Sequence, residues 1–268
     1  GEDNINSSSE ELILSPSLNP GEIIGSFLYS NPAYSLGMSF VSSKDGNILF
    51  VQKYFKLLIL NISNPYEEHE IGSLNMTAQT ELIKMLLSPD EKILYMFTFH
   101  NLHVIDVSNK EAPIRIFARN FTELIGNKLY SMALSSDGMT LYTLTEKAMR
   151  IFDVSQPKSP VMIYEKVASY GGGIALSKDN TKILVGGSKS QFEMFDVTDP
   201  ANPQLICSKD IDQARNKKIF AITFSGDEDR VILGMNKNGE SSKPFYLLNF
   251  DISDLNSPSL ISTAELTK

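Results

Sequence analysis

Short apolar runs and clusters of turn-forming residues alternate along most of this chain. In the stretch 133–142, for example, two apolar runs flank Ser135-Ser136-Asp137-Gly138. Asp can hydrogen-bond its own following backbone and Gly accepts a positive φ, so such a cluster favours a tight turn. Apolar runs on both sides of a tight turn predict a β-hairpin. The pattern therefore predicts a chain built from short antiparallel strands.

The same hairpin phrase returns five times, and its aspartates are spaced by 45, 47, 42 and 48 residues. A second phrase of the form Ile-Asp-Val-Ser-Asn follows each hairpin, and its Asn or Asp positions are spaced by 45, 47, 43 and 55 residues. A period of about 40–50 residues with strand chemistry predicts a β-propeller with one four-stranded blade per period. The equivalent residues are Asp45, Asp90, Asp137, Asp179 and Asp227 in the first phrase, and Asn61, Asp106, Asp153, Asp196 and Asp251 in the second.

Each repeat provides four short strands. Pro157 and Pro160 cannot donate to a strand ladder, so they mark the connection before the outer strand of the third repeat. The strands of that repeat are predicted near 130–135, 140–145, 148–154 and 160–166.

The repeats divide the chain into three parts. Residues 1–10 are polar and are predicted to be a disordered tail or linker. Residues 11–36 resemble the second half of a repeat and are predicted to be a partial blade or latch strands. We therefore expect either that the chain is a segment of a larger propeller or that the early strands add to the last blade and latch the ring. Residues 37–268 are predicted to form five blades, at 37–82, 83–127, 128–170, 171–215 and 216–268.

The second phrase resembles the units of the LVIVD-repeat family over residues 37–268. The first phrase, as Ser-Pro-Asp at 88–90 and Leu-Tyr at 94–95, is also similar to YVTN and WD40-like repeats. The resemblance implies a propeller that presents loops to partners; it implies no defined reaction and carries over no catalytic residues. Asn61 replaces the acidic residue of the family phrase, and Lys110 and Leu255 stand where proline is expected.

Composition and charge exclude some functions. The 268-residue chain has a net charge of −8 and a pI of about 5.0, which argues against a nucleic-acid scaffold and against docking on anionic lipid through a basic patch. Cys207 is the only cysteine, so neither an intrachain disulfide nor a cysteine-based zinc site is possible. No apolar run approaches the length of a membrane span.

No catalytic or metal-binding constellation stands out. The repeated aspartates lie at strand ends before Ser or Thr, where side-chain-to-backbone bonds fix turns, so we interpret them as structural. His100 and His103 point to opposite faces of a strand, which disfavours a shared metal ion. The three glycines of 171–173 are interpreted as a tight entry to an inner strand, because no Gly-Lys-Ser or Gly-Lys-Thr follows them. We therefore predict no catalytic residue, no metal site and no cofactor.

Binding is predicted on the loops between the second and third strands of each blade, because rigid scaffolds commonly bind their partners through loops. The fifth such loop, 236–244, is longer than the others, and long loops in compact domains are often functional. Large aromatic side chains at loop tips are typical interface anchors. The predicted partner-binding residues are Tyr54, Phe55, His100, Lys147, Lys189, Lys237 and Asn238.

These observations predict a non-enzymatic propeller scaffold that binds a protein partner through its loop face, without nucleic acid and without direct membrane insertion. We expect it to be part of a larger protein, and an extracellular or cell-surface location is favoured. One alternative is a lactonase-like or other hydrolase with a site at the central channel. Another is an assembly role, in which an incomplete ring docks against a second propeller or another subunit.

Overall fold

The computed structural model consists of five antiparallel sheets of four strands each, and no helix occurs in the part of the chain that it describes. The described residues are 40–53, 56–64, 67–76, 82–98, 101–120, 129–187, 191–211, 217–237 and 245–266. Within these residues, no helix is long and apolar enough to cross a membrane.

Each sheet is one repeat, numbered here as blades 1 to 5. Blade 1 holds β1 (Phe40–Ser42), β2 (Ile48–Lys53), β3 (Lys56–Asn64) and β4 (Glu67–Asn75). Blade 2 holds β5 (Leu82–Leu87), β6 (Ile93–Thr98), β7 (Asn101–Asp106) and β8 (Ile114–Asn120). Blade 3 holds β9 (Leu129–Leu134), β10 (Thr140–Thr145), β11 (Ala148–Asp153) and β12 (Val161–Val167). Blade 4 holds β13 (Tyr170–Leu176), β14 (Lys182–Gly187), β15 (Gln191–Asp196) and β16 (Gln204–Asp210). Blade 5 holds β17 (Lys217–Phe224), β18 (Arg230–Lys237), β19 (Phe245–Asp251) and β20 (Ser259–Leu266).

The blades are arranged as in a β-propeller. Strands pair in chain order within every sheet, and the first strand of each blade contacts the first strand of the next: β1 with β5, β5 with β9, β9 with β13, and β13 with β17. The first strands are therefore the inner strands. The all-β propeller predicted from the repeat is confirmed, and the four strands predicted for the third repeat match β9 to β12 closely.

Apolar cores lie between consecutive blades, because each sheet presents side chains on both faces. Between blades 2 and 3, for example, Leu102 and Val104 of one blade pack with Leu141 and Phe152 of the other. The first, third and fourth junctions have the same construction. The largest fully buried side chains, such as Tyr95, lie in these junctions. Burial of apolar surface between blades is thus what holds the sheets in radial order.

Candidate functional site

The turns between first and second strands form one face of the molecule, here called the turn face. In blade 2, the Ser88 hydroxyl donates to Asp90 Oδ1 at 2.6 Å and accepts the Ile93 amide at 2.9 Å, while Asp90 accepts the Lys92 amide. This double use of Ser and Asp closes the turn from both ends. The same Ser–Asp bond occurs in every blade, as Ser43–Asp45, Ser135–Asp137, Ser177–Asp179 and Ser225–Asp227.

The aspartates of the second phrase also serve turns. Asp106 Oδ1 accepts the amide of Ser108 at 2.9 Å, and this bond with that of the Ser108 hydroxyl lowers the pKa of Asp106. The equivalent carboxylates and the amide oxygen of Asn61 make the same contact two residues ahead. The structural interpretation of the repeated aspartates is therefore confirmed: they stand apart on five blades, each occupied by its own turn.

Neighbouring turns on this face are also bonded to each other. The residue after the turn aspartate has a positive φ in all five blades. In blade 4 that residue is Asn180, whose Oδ1 accepts the Ser136 amide of blade 3 at 2.9 Å. Glu91 of blade 2 accepts the Lys44 amide of blade 1 in the same way, and Glu228 of blade 5 accepts that of Lys178. At three of the four junctions, a turn thus bonds to the turn of the blade that follows it.

The junction of blades 2 and 3 replaces this bond by a close contact. Pro89 occupies the position of the donated amide and has no N–H, and Gly138 occupies that of the accepting side chain. A Cβ on Gly138 would lie 2.9 Å from Pro89 Cδ, so the glycine leaves room for the ring. Where the donor is missing the acceptor is missing too, so no buried group is left unsatisfied by this exchange.

The loop face lies at the opposite ends of the strands, where second strands join third strands and where one blade leads to the next. Lys147 is exposed there at the tip of the β10–β11 hairpin. The carbonyl groups of Glu146 and Lys147 accept the amides of Tyr170 and Ala168, which fixes the hairpin to the connection between blades 3 and 4. The backbone at Lys147 is therefore held in place by hydrogen bonds to a neighbouring segment.

The other predicted binding residues are placed only in part. The backbone of Lys237 ends β18 and pairs with Lys217. Tyr54, Phe55, His100, Lys189 and Asn238 lie outside the described residues. Lys147 and Lys237 occur on loop-face hairpins of different blades, so the structure does not bring these two into one cluster.

A lysine and a serine meet on neighbouring inner strands. Lys84 on β5 donates through Nζ to Ser131 Oγ on β9 at 3.1 Å. Ser131 is buried, and burial lowers the pKa of Lys84. No repeat or motif in the sequence links these two residues, although Lys84 interrupts the otherwise apolar run 82–87. A hydroxyl beside an amine of lowered pKa is an arrangement that supports nucleophilic chemistry.

Charged side chains also occupy the third strands. Arg150 on β11 is buried and donates to Glu165 Oε1 at 3.0 Å and to Thr145 Oγ1 at 3.3 Å. Glu193 on β15 of blade 4 accepts bonds from Lys166 of blade 3 at 2.9 and 3.0 Å. Both pairs satisfy buried charge, and the Lys166–Glu193 pair also joins blades 3 and 4, which is a structural role.

His103 occupies the same third-strand position without a partner. The imidazole is 3% exposed, and neither ring nitrogen has a hydrogen-bond partner within the described chain. Burial, and to a lesser degree the charge of Arg115, lowers the pKa of His103 to about 4. The ring is therefore neutral at pH 7. No group of three or more His, Cys, Asp or Glu side chains suited to a metal ion occurs in the described ranges.

Comparisons with known proteins show what fold this chain shares with them. No protein-family model and no curated protein matches the chain. Solved structures do match: the β-propeller domain of Myceliophteria thermophila Cps50 (Swd1) is 15% identical with a TM-score of 0.64, and the match covers 85% of this chain and 71% of that one. The periplasmic gluconolactonase PpgL of Pseudomonas aeruginosa is 12% identical with a TM-score of 0.67 and the same coverage.

A Bacteroides fragilis protein assigned as a 6-phosphogluconolactonase is 12% identical with a TM-score of 0.66, and the match covers 85% of this chain and 70% of that one. These likenesses concern the course of the backbone, because so few residues are shared. The resemblance to LVIVD, YVTN and WD40-like repeats is thus confirmed as far as the fold. The chain is a β-propeller.

Proposed function

We propose that this propeller is a non-enzymatic scaffold that binds a protein partner through its loop face. The single observation that carries the proposal is the contrast between the two faces. On the turn face, the recurring Ser and Asp side chains are bonded within their own turns. On the loop face, the hairpin that carries Lys147 is bonded to the connection between blades 3 and 4, and the Lys147 side chain is exposed at its tip.

Charge indicates the kind of partner. Lys147 is exposed on the loop face, and the sequence predicts that Lys189 and Lys237 also belong to this face, on a chain whose net charge is −8. Positive side chains on the loop face attract an acidic surface of the partner, whereas the acidic remainder of the protein repels it. The two effects together orient the partner as well as attract it. Association would then weaken with added salt, because exposed charges are screened.

The test compares charge reversal at the two ends of one strand. Lys147→Glu changes the loop face of blade 3, whereas Lys158→Glu makes the same change on the exposed turn after β11, at the opposite face. The immobilised protein and both variants are used to capture proteins from an extract of the source cells, together with a variant whose residues 238–244 are replaced by a Gly-Ser linker. The proposal predicts that the loop-face variants lose a protein that Lys158→Glu retains. Equal capture by all variants would overturn it.

A hydrolase is the second candidate, and the Lys84–Ser131 pair favours it. In that reaction Lys84, when its amine has lost its proton, takes the hydroxyl proton while Ser131 Oγ forms a bond to the carbonyl carbon of an ester or lactone. The lysine returns the proton to the leaving alkoxide, and water then cleaves the acyl-serine and regenerates the hydroxyl.

Labelling distinguishes this candidate from the scaffold. A fluorophosphonate probe would modify Ser131 in the native protein but not in Lys84→Met, and Ser136→Ala, on the exposed turn face, would label as the native protein does. Absence of Ser131 labelling, with no hydrolysis of an ester and lactone panel, would remove the hydrolase. It would leave the scaffold proposal unaffected.

A further inference from the structure

Blade 5 exposes the side that other blades bury against a following blade. Two third-strand positions, four and two residues before the repeated Asn or Asp, face the next blade and are fully buried in blades 1 to 4. In blade 5 these positions hold Leu247, which is 41% exposed, and Asn249. The buried equivalents are Leu57 and Ile59, Leu102 and Val104, Met149 and Ile151, and Phe192 and Met194.

The fourth strand shows the same contrast. A bulge skips one residue in the pairing of each fourth strand, and that residue is an isoleucine in all five blades. Ile71, Ile116, Ile163 and Ile206 pack into the core shared with the following blade. Ile261 of blade 5 is 53% exposed. The side of blade 5 that lacks a following blade thus has the construction of a junction.

Two aromatic rings enlarge the exposed surface. Phe220 and Phe245 meet edge to face at 5.6 Å between ring centroids, and both are exposed. Gly234 makes room for Phe220, since a Cβ there would lie 3.0 Å from the ring. Phe220, Phe245, Leu247 and Ile261 are together called the forward patch. Exposed apolar patches of this kind mark interaction sites.

Blade 1 has the complementary side. Leu60 and Val51 occupy the positions of Ile105 and Met96, which in blade 2 receive blade 1. Val51, Leu58 and Leu60 form a separate buried cluster with Leu49 and Ile62. A blade that precedes blade 1 in the chain would pack on this cluster, as blade 1 packs on blade 2.

The chain before β1 carries the outer half of a repeat in register. After Asp196 of blade 4, the turn threonine, the buried proline and the bulged isoleucine follow at Thr198, Pro203 and Ile206. The same offsets from Ile13 lead to Ser15, Pro20 and Ile23, and Ile13 precedes Asn61 by one repeat length of 48 residues. Leu12 and Leu14 flank Ile13 as Phe195 and Val197 flank Asp196.

We propose that residues 11–36 form the third and fourth strands of a sixth blade, which lies between blades 5 and 1 and covers the forward patch. Chain order places this half-blade directly before blade 1. The ring that we propose has six blades, and it brings the other side of this half-blade to blade 5. At the existing junction of blades 4 and 5, the ring of Phe250 contacts that of Phe192 at 5.4 Å. Leu12 and Leu247 hold the positions of Phe250 and Phe192, so they form the corresponding contact.

A designed thiol cross-link tests this contact in the full chain. The buried native thiol is removed by Cys207→Ser, and Leu12→Cys is combined with Leu247→Cys. The matched control combines Leu12→Cys with Leu205→Cys, at an exposed position of similar chemistry on blade 4. Both are treated under native conditions with a short bis-maleimide, and the products are mapped by denaturing electrophoresis and peptide mass spectrometry. Facing sheets pack about 10 Å apart, so a cross-linker of about that span bridges such a pair, whereas a direct disulfide requires Cα atoms within about 7 Å.

The proposal predicts an intramolecular cross-link between the two thiols of the Leu12–Leu247 pair, and thiols modified singly without a cross-link in the control pair. Circular dichroism of the untreated variants verifies that both fold, which the exposure of Leu247 and Leu205 favours. Cross-linked dimers would show that a second copy covers the forward patch, and single modification of both thiols in the Leu12–Leu247 pair would show that residues 11–36 lie elsewhere. Either result overturns the proposal.

Discussion

Replacement of His103 by leucine is expected to make the protein more stable and less sensitive to acid. The ring lies on β7, paired with Met96 and Ala118 of the neighbouring strands, and has no described hydrogen-bond partner. The equivalent third-strand position is Leu58 in blade 1 and Leu248 in blade 5, and both are buried. His103→Leu therefore installs the residue that two other blades already use at this position.

The magnitude follows from the pKa of the imidazole. His103 has a pKa of 6.5 in the unfolded chain, whereas burial lowers its pKa to about 4 in the folded protein. Between these values the unfolded state binds more protons, so the free energy of unfolding decreases as the pH falls from 6.5 and the loss is complete below 4. Since one pKa unit corresponds to about 1.4 kcal/mol, the full loss is about 3 kcal/mol. At neutral pH, removing an unpartnered buried polar ring adds about 1 kcal/mol of stability or more.

Urea denaturation of the native protein and His103→Leu, at pH 7.5, 6.5, 5.5 and 4.5, measures both effects. The stability difference between the two proteins should widen towards acid pH, because the turn aspartates titrate in both and cancel. His69→Leu, at an exposed position on β4, is the control and should follow the native protein. A constant difference between native protein and His103→Leu across this range would refute the reasoning.

Two further predictions concern turns and close contacts. Gly72→Ala should reduce the free energy of unfolding by at least about 2 kcal/mol, because the new Cβ would lie 1.9 Å from the Lys110 carbonyl oxygen. Gly226→Ala is the control, because a Cβ there would have nothing within 4 Å. In the same urea titration it should change the free energy of unfolding by less than about 0.5 kcal/mol. Asp137→Asn should lower the melting temperature at pH 7, because the Ser135 hydroxyl and the Met139 amide lower the pKa of Asp137. The difference should begin to shrink as the pH falls below 3.8 and should vanish below the lowered pKa of the folded protein, so a difference that does not shrink in acid would contradict the assignment.

The fold could be predicted from the sequence because its determinants are local. Asp137 closes a turn whose partners lie within five residues, so the phrase that encodes it survives in every repeat. The third-repeat strands follow from the spacing of Leu, Tyr, Pro and Gly around such turns. The glycines at 171–173 were predicted as a tight entry to an inner strand, but they lie within β13 itself. A Cβ on Gly172 would be 2.5 Å from the Ile219 carbonyl oxygen, so this glycine allows the next inner strand to approach closely.

The polar contacts between blades could not be predicted in the same way. Lys84 and Ser131 are 47 residues apart, and Lys166 and Glu193 are 27 apart, so only the packing of blades brings them together. The third-strand position of His103 holds arginine in blade 3 and glutamate in blade 4. No pattern within one repeat predicts which charged side chain a neighbouring strand or blade places beside this position. A signal did exist for the bonds between turns: the residue after each turn aspartate has a side-chain acceptor in blades 2, 4 and 5 and is glycine in blades 1 and 3.

Amide hydrogen exchange at the turn face tests most directly whether the repeats are stacked as successive blades. The account predicts slowed exchange for the amides of Lys44, Ser136 and Lys178, each bonded to a side chain of the following turn. It predicts fast exchange for the equivalent Gly226 amide, for which no described residue is an acceptor, and release of the Ser136 amide alone in Asn180→Ala. Equally fast exchange at all four amides would contradict the stacking of one blade on the next.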